Sequence, residues 1–525
     1  MSTRLAPRIV PLILPALLAI ASVAPVRSYD TFWHLATGRW IAENGALPGR
    51  DPFGLASDSV AWHNGEWLFQ LALHAVHALG GTSGLSIARG LFVALLFTAV
   101  YLWTRRETTP AIALTLCAVA WAGADWRFDV RPETAGVAFA AFTTALLLGG
   151  TTPRRLALLA ATTVLWMNVH PSALLAPAIA GAIAVGRLAA GRRDARTAGM
   201  DFAAAGVAAL ALLANPYGLE GILAPIRLAR IVSSGAFTNA EWLPSAPATF
   251  PLLYLTIVAG IALFAWRRDR SLAPHVLLFV LFAALAVRYV RNHAFFFVIL
   301  PLVLAPAVPR SPRMRIVAVA AALLAFATVP LARGIGLGAD RDRFPAAAVD
   351  QLEASGLRGN VYNPDQFGGY LIWRLWPERR VLVDGRNELY LSFLASFPRA
   401  LRDSRAWNDL FETYDLTLAV EEYRPGTIPV TNAITGDVEQ LRPSRVYFPR
   451  ATWALVGFDD VAMVFARRDA YEPEVLAKLE YRALDPEALA IDPAADAVRV
   501  ARELARARSV LRSSWRLRAL EERAD

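Results

Sequence analysis

Long apolar blocks separated by short arginine clusters fill about the first 335 residues, and this pattern limits the possible folds most strongly. A helix that crosses a bilayer needs roughly 20 predominantly apolar residues. Blocks of that character lie at 9–26, 84–103, 110–124, 134–150, 156–169, 172–189, 202–214, 251–266, 272–288, 294–309 and 314–333. They raise the hydrophobic share to 56%, above the 45–50% usual in soluble domains. The expected fold class is a polytopic α-helical membrane protein of about 11 spans followed by a small α/β domain.

The gaps between blocks alternate in character. One set holds Arg4 and Arg8, Arg105 and Arg106, Arg154 and Arg155, then Arg192, Arg193 and Arg196. It continues with Arg267, Arg268 and Arg270, then Arg310, Arg313 and Arg315. Short basic loops stay in the cytoplasm. The other set, 27–83, 125–133, 169–171, 215–250 and 289–293, is longer or more polar and is expected outside. An odd number of spans then puts the N-terminus inside and the region after 335 outside. Ser22 and Ala24 would suit signal cleavage, but Pro25 disfavours it, so 9–26 reads as an uncleaved anchor.

The net charge of +9 does not point to nucleic acid, because these arginines serve topology. Cys117 is the single cysteine, so neither an internal disulfide nor a cysteine-based metal site is available. Three regions follow: a transmembrane domain over 1–335 with 27–83 as its first outward loop, a soluble α/β domain over 340–470, and a helical basic tail over 471–525. In the α/β domain, Pro345 and Gly356 bracket a helix. Strands are expected at 360–363, 380–383, 415–421, 452–457 and 461–466, with helices over 389–412 and an apolar segment over 368–376. Asp384 and Arg386, at a strand end, read as an ion pair or a sugar or acceptor contact. In the tail, Val500, Leu504, Leu511 and Trp515 share one face amid many arginines. Such a helix lies on an anionic membrane or packs on the α/β domain.

The unusual polar residues gather in the outward segments. The first loop holds Asp30, Trp33, His34, Arg39, Asp51 and Glu66, followed by an amphipathic stretch over 67–79 suited to the membrane surface. Later loops hold Asp125, Arg127, Asp129, Arg131, Asn168, His170, Glu241, Arg288, Arg291 and His293. Ionisable groups at membrane depth are costly and mark function. Simpler roles exist for many of them. Trp33, Trp40, Trp62 and Trp67 suit an interfacial belt, the arginines can snorkel to headgroups, and Asp51 before Pro52 is ordinary turn chemistry.

Asp30-x-x-Trp33-His34-Leu35 resembles the Asp-x-Tyr-Tyr-His-Leu element of oligosaccharyltransferase catalytic subunits. The plan of the chain is similar to the GT-C class of membrane glycosyltransferases. A closer resemblance is to a bacterial GT-C-like group, carried by Asp-Thr-Phe-Trp-His-Leu-Ala-Thr-Gly-Arg at 30–39, Asp51-Pro52-Phe53, Glu66-Trp67-Leu68 and Arg131-Pro132. It extends through Trp166-Met167-Asn168-Val169-His170, Asn215-Pro216-Tyr217-Gly218, Glu241-Trp242 and Phe367-Gly368-Gly369-Tyr370-Leu371. Two departures stand out: Asp125 and Asp129 are four apart rather than Asp-x-Asp, and the Trp-Trp-Asp-Tyr-Gly signature is missing. Peptide glycosylation is therefore not implied.

The resemblance implies transfer of a sugar from a polyprenyl-phosphate donor to a glycan, lipid or protein acceptor at the outer face of a bacterial inner membrane. Membrane lipids are partners and nucleic acid is not. Asp30, Asp129 and Glu66 are the catalytic candidates, with Asp30 as the base. Arg131, Arg288, Arg291 and His170 are the candidate phosphate clamp. In a metal-dependent branch, Mg2+ or Mn2+ would be held by Asp30 and Asp129, with His34 added for manganese. His34 as a hydrogen-bonded group inside the loop and Glu66 as a helix anchor are the plainer alternatives. A transporter or lipid flippase, or a non-catalytic assembly protein on the same scaffold, are the competing functions.

Overall fold

The computed structural model describes residues 15–57, 60–191, 194–233, 240–310, 332–431 and 436–524, together with 320, 324, 325, 327 and 329. Arg4, Arg8, the start of the 9–26 anchor, Arg192, Arg193, Arg313, Arg315 and most of the 314–333 segment lie outside the described residues. The chain divides into two compact units. The first is helical: Met1–Ser28, Thr37–Leu47 and His63–Ala339. The second is α/β: Tyr29–Ala36, Pro48–Trp62 and Asp340–Asp525.

Helix α1 (Asp30–Asn44) begins in the α/β unit and ends in the helical one. Helix α2 (Trp67–Glu107) is broken at Gly81, where φ is 59° and ψ is −159°. A residue with a Cβ resists that conformation, so the glycine separates the amphipathic stretch 67–79 from the apolar 84–103. Helices α3 (Pro110–Ala124), α4 (Pro132–Leu148) and α5 (Pro153–Met167) each open on proline. Its fixed φ suits the first turn, and its missing N–H costs nothing there. The Thr109 and Thr152 hydroxyls cap α3 and α5 by accepting from the Ile112 and Arg155 amides.

Helices α6 (Leu175–Ala189), α7 (Ala195–Ala211), α8 (Leu219–Ser233), α9 (Pro251–Arg267), α10 (Ala273–Arg288) and α11 (His293–Leu304) complete the described part. Helix α8 lies where an outward loop was expected, because the polar signals at 215–218 and 241–242 flank it without breaking it. Every residue of α11 is buried, and it packs against α3, α4 and α10. Elsewhere the outer faces are apolar. Leu79 is 91% exposed, Leu95 and Leu210 70%, Leu255 68% and Trp266 65%. Such faces need an apolar medium rather than water. Among the described residues, three helical stretches are long and apolar enough to cross a membrane: Trp67–Glu107, Pro171–Ala189 and Arg270–Arg288. Pro132–Leu148, Pro251–Arg267 and Val290–Leu304 are shorter apolar helices.

The α/β unit is built on a four-stranded sheet in the order β1 (Asn360–Tyr362), β2 (Leu416–Glu422), β6 (Ala462–Arg467), β5 (Trp453–Phe458). Strands β1 and β2 are parallel and the other pairs antiparallel. Strands β3 (Ile428–Thr431) and β4 (Val438–Leu441) form a separate antiparallel pair. Helices α12 (Ala346–Ala354), α13 (Asp365–Leu375), α14 (Leu391–Ala400) and α15 (Ser404–Thr413) surround the sheet. The apolar segment at 368–376 is thus mostly helix α13. The strand expected at 380–383 is reduced to Val381, bridged in parallel to Val361 and to Gly54. The amides of Leu55 and Ala56 donate to the carbonyls of Val381 and Leu382 at 2.9 and 3.0 Å. Backbone pairing thus draws part of the 27–83 loop, assigned from the sequence to the transmembrane domain, into the α/β unit.

The tail forms two helices, α16 (Ala497–Val510) and α17 (Trp515–Ala524). Both are fixed to the α/β unit. The Glu503 carboxylate accepts from the amides of Arg482, Ala483 and Leu484 at 3.0, 2.9 and 3.2 Å. Arg506 lies 3.8 Å from the Tyr481 ring centre, and Arg516 lies 3.4 Å from that of Tyr423. The arginines that suggested a membrane surface are partly spent on aromatic and carbonyl groups of the unit's own surface.

Candidate functional site

The segments 127–133, 241–242 and 291 of the helical unit gather arginines and carboxylates into one network. Arg127 donates to Glu241 at 3.0 Å and to both Glu133 oxygens at 3.2 and 3.0 Å. Arg131 donates to Glu241 at 2.5 and 3.3 Å. Arg291 lies 3.8 Å from Glu133 and stacks 4.6 Å over the Trp242 ring. Burial works against the Glu241 carboxylate, yet Arg131 and Arg127 hold it well below the usual carboxylate range. Among the described residues, Arg127, Arg131 and Arg291 face Glu133 and Glu241 here.

His170 stands at the edge of this network. Its Nδ1 accepts from the Ser172 amide at 3.1 Å, which leaves the proton on Nε2, 3.7 Å from Glu66. Burial pushes the imidazole down to about 3, so the ring is neutral. Arg288 lies apart, 4.7 Å over the Tyr289 ring. Asp129 is 3.6 Å from Arg333. A second knot sits beneath. Arg89 donates to Asp125 at 3.1 Å, to the Phe128 carbonyl at 2.7 Å and to the Ser22 carbonyl. Arg333 donates to the Asp125 carbonyl at 2.6 Å. Arg89 was hidden in the sequence because it is a single charge within an apolar block.

The α/β unit holds the other candidates. Asp30 opens helix α1, and its Oδ1 accepts from the Trp33 indole at 3.3 Å. Gly385 closes against it: a Cβ there would stand 2.8 Å from Asp30 Oδ1 and 3.9 Å from Trp33 Nε1. Only glycine allows the backbone this near the carboxylate. His34 is buried, with its ring centre 3.6 Å from that of Trp33. Beside them Arg386 donates to Asp384 at 2.8 Å through Nε and pairs with Asp51 at 2.9 Å. The Tyr390 hydroxyl lies 2.6 Å from Asp384 and 3.0 Å from Asp51. The Arg386 guanidinium faces the rings of Trp62, Phe53 and Trp33 at 4.7, 5.4 and 5.6 Å.

Of the residues chosen from the sequence, Asp30 and His34 belong to the α/β unit. Glu66, Asp129, Arg131, His170, Arg288 and Arg291 belong to the helical unit. Within that unit Glu66 meets His170, while Arg131 and Arg291 join one network through Glu241, Arg127 and Glu133. Asp51 caps its turn, accepting from the Phe53 and Gly54 amides at 3.0 Å each, and also pairs with Arg386. Glu133 and Tyr390 were not singled out from the sequence, and each joins a near partner to a distant one: Arg127 and Arg291 for Glu133, Asp384 and Asp51 for Tyr390.

Neither a protein-family model nor a curated protein matches the chain. Solved structures do. AglB from Archaeoglobus fulgidus, an archaeal oligosaccharyltransferase in complex with an inhibitory peptide and a dolichol-phosphate, aligns with a TM-score of 0.57 at 12% identity. The alignment covers 83% of this chain and 74% of that one. The same archaeal oligosaccharyltransferase in complex with Zn and sulfate aligns with a TM-score of 0.54 at 12% identity, over 82% and 73%. The fold is that of an oligosaccharyltransferase. At this identity the likeness is one of fold, and it extends through most of both chains. The oligosaccharyltransferase fold is of the GT-C type, a multi-pass membrane architecture.

Among the described residues, the side chains do not form a site for a resident metal. Among the described residues no group of three or more His, Cys, Asp or Glu is arranged to hold an ion. Of the expected ligands, His34 packs on Trp33 and Asp129 faces Arg333.

Proposed function

We propose that this chain is a membrane glycosyltransferase of the GT-C class. It moves a sugar from a polyprenyl-phosphate donor to an acceptor on the extracytoplasmic face. The observation that carries this reading is an oligosaccharyltransferase fold whose helix α1 opens on Asp30, oriented by Trp33 and walled by Gly385. Its setting is a bacterial inner membrane, with about 11 spans, the N-terminus inside and the α/β unit outside.

In this reading Asp30 accepts the proton of the acceptor hydroxyl or amide as that atom bonds to the anomeric carbon. The bond from the anomeric carbon to the phosphate oxygen breaks, and the polyprenyl phosphate leaves as an anion. The guanidinium groups of Arg127, Arg131 and Arg291 support an anion there. Arg131 and Arg291 donate to the phosphate by exchanging a carboxylate oxygen for a phosphoryl oxygen. His170 donates its Nε2–H to the phosphate, with the Glu66 carboxylate 3.7 Å away.

The test is Asp30→Asn in the purified protein, assayed against radiolabelled polyprenyl-phosphate sugars with and without Mg2+ or Mn2+. Loss of a general base lowers turnover by about 10²–10⁴. Full activity in Asp30→Asn, or no donor consumption by wild type in any arm, overturns the reading.

A further inference from the structure

Far from the outward loops in sequence, a cavity of about 550 Å³ opens among the ends of three helices. It is lined by Leu148 and the Gly149–Gly150 turn after α4, by Arg187, Ala190 and Gly191 at the end of α6, and by Ser271, Pro274 and His275 at the start of α10. That volume falls within the range of about 300–1,000 Å³ typical of small-molecule sites. The loops that supply it are the basic ones: Arg154 and Arg155 flank one side and Arg267, Arg268 and Arg270 another. Leu148, Ala190 and Pro274 give its wall an apolar part.

The polar groups of the wall are nearly all spent. Arg187 donates to Asp201 at 2.7 Å, to Thr151 at 3.1 Å and to the carbonyls of Leu147 and Leu148 at 2.5 and 3.2 Å. Arg155 donates to the Gly150 carbonyl at 2.9 Å, its guanidinium lying against Gly149. The Ser271 hydroxyl donates to Asp269 at 2.7 Å. His275 is the exception: its Nδ1 is buried and has no hydrogen-bond partner among the described residues. A buried polar atom of this kind calls for a partner. His275 also sits in the first turn of α10, where the helix end carries partial positive charge.

We infer that this cavity binds a phosphoryl anion, with His275 Nδ1–H donating to a phosphoryl oxygen and Arg155 and Arg187 supplying the field. The apolar part of the wall at Leu148, Ala190 and Pro274 suits the acyl chains of an anionic phospholipid, and free inorganic phosphate has the same recognising chemistry. The inference needs the helices to lie in a membrane but does not depend on glycosyl transfer.

The experiment is native mass spectrometry of the full-length protein in delipidated detergent. Phosphatidylglycerol, phosphatidylcholine or inorganic phosphate is added to wild type, His275→Ala and Ala190→Trp. The second variant fills the cavity without touching a polar group, and it decides the matter where His275→Ala fails to fold. Retained phosphatidylglycerol that falls about tenfold in both variants supports a lipid headgroup site. Phosphate adducts that fall in the same way, with no lipid retained, support a site for the free anion. Equal adducts in wild type and Ala190→Trp, or equal retention of phosphatidylcholine and phosphatidylglycerol, overturn the inference.

Discussion

The helical unit and the α/β unit both bury arginine beside carboxylate, but they do so in opposite ways. In the helical unit the charges form an open chain. Glu241 serves Arg127 and Arg131, and Glu133 serves Arg127 and Arg291. Arg131 keeps a side-chain exposure of 20% and Arg291 23%. In the α/β unit Arg386 is closed off, with no exposed side-chain surface, between Asp384, Asp51 and a wall of aromatic rings. An open network with partly exposed arginines can take in another anion by exchange. A closed pair cannot, because removing either partner strands a charge in a dry interior. The first arrangement therefore suits a site and the second suits a fold.

Asp384→Ala should test the closed pair with the largest effect. It leaves Arg386 facing Asp51 alone, and breaking a buried pair costs about 3–5 kcal/mol. A thermal melt of the detergent-solubilised protein should show the loss. A shift of under a degree would mean that Arg386 is as adaptable as the helical network.

Glu421, on β2, supplies a pH test within the same unit. Burial pushes its carboxyl up to about 8, against the pull of Arg424, whose Nε is 2.7 Å away. The folded state then holds this proton more tightly than the unfolded chain, whose ordinary value is 4.5. The stabilisation is present at low pH and is lost as pH rises from about 4.5 to about 8. The slope approaches 1.4 kcal/mol per pH unit while one proton separates the two states. Melting temperature should therefore fall between pH 6 and pH 8 in wild type, and Glu421→Gln should flatten that fall.

Glu241→Gln should be milder than Asp384→Ala, at about 1–3 kcal/mol, because Glu133 still holds Arg127. Its sharper signature is in binding. With Arg131 released, affinity for an anionic polyprenyl-phosphate should rise or hold in an isothermal titration, and a collapse would mean that the network is purely structural. The smallest effect is expected at Trp515, which is 46% exposed on the tail. Trp515→Ala should change stability by no more than about 0.5 kcal/mol. Large loss of liposome binding in that variant would return the tail to the membrane surface.

The alternation of apolar blocks and arginine clusters made most of the helices legible, because a helix in an apolar medium must satisfy its backbone internally and advertise its length in sequence. Helix α8 escaped that logic, since it is polar enough to pass for a loop. Asp30 stood out in the sequence by its motif and Arg131 by its place in a polar loop between apolar blocks. The partners of both residues were less so. Glu241 meets Arg131 across 110 positions, and Tyr390 meets Asp51 across 339.

By itself, then, the sequence determined the helical, membrane-suited character of the first unit and the four strands of the second unit's main sheet. These are local properties, fixed by hydropathy, period and charge within a window of about 20 residues. Tertiary structure alone decided that part of the first loop joins the α/β unit and that Asp51 closes on Arg386. It also decided that the tail's arginines are partly spent on Tyr481 and Tyr423, and that His275 faces a cavity with no partner for its Nδ1. Each of those outcomes depends on which distant groups are brought within hydrogen-bond reach, and no local window contains that information.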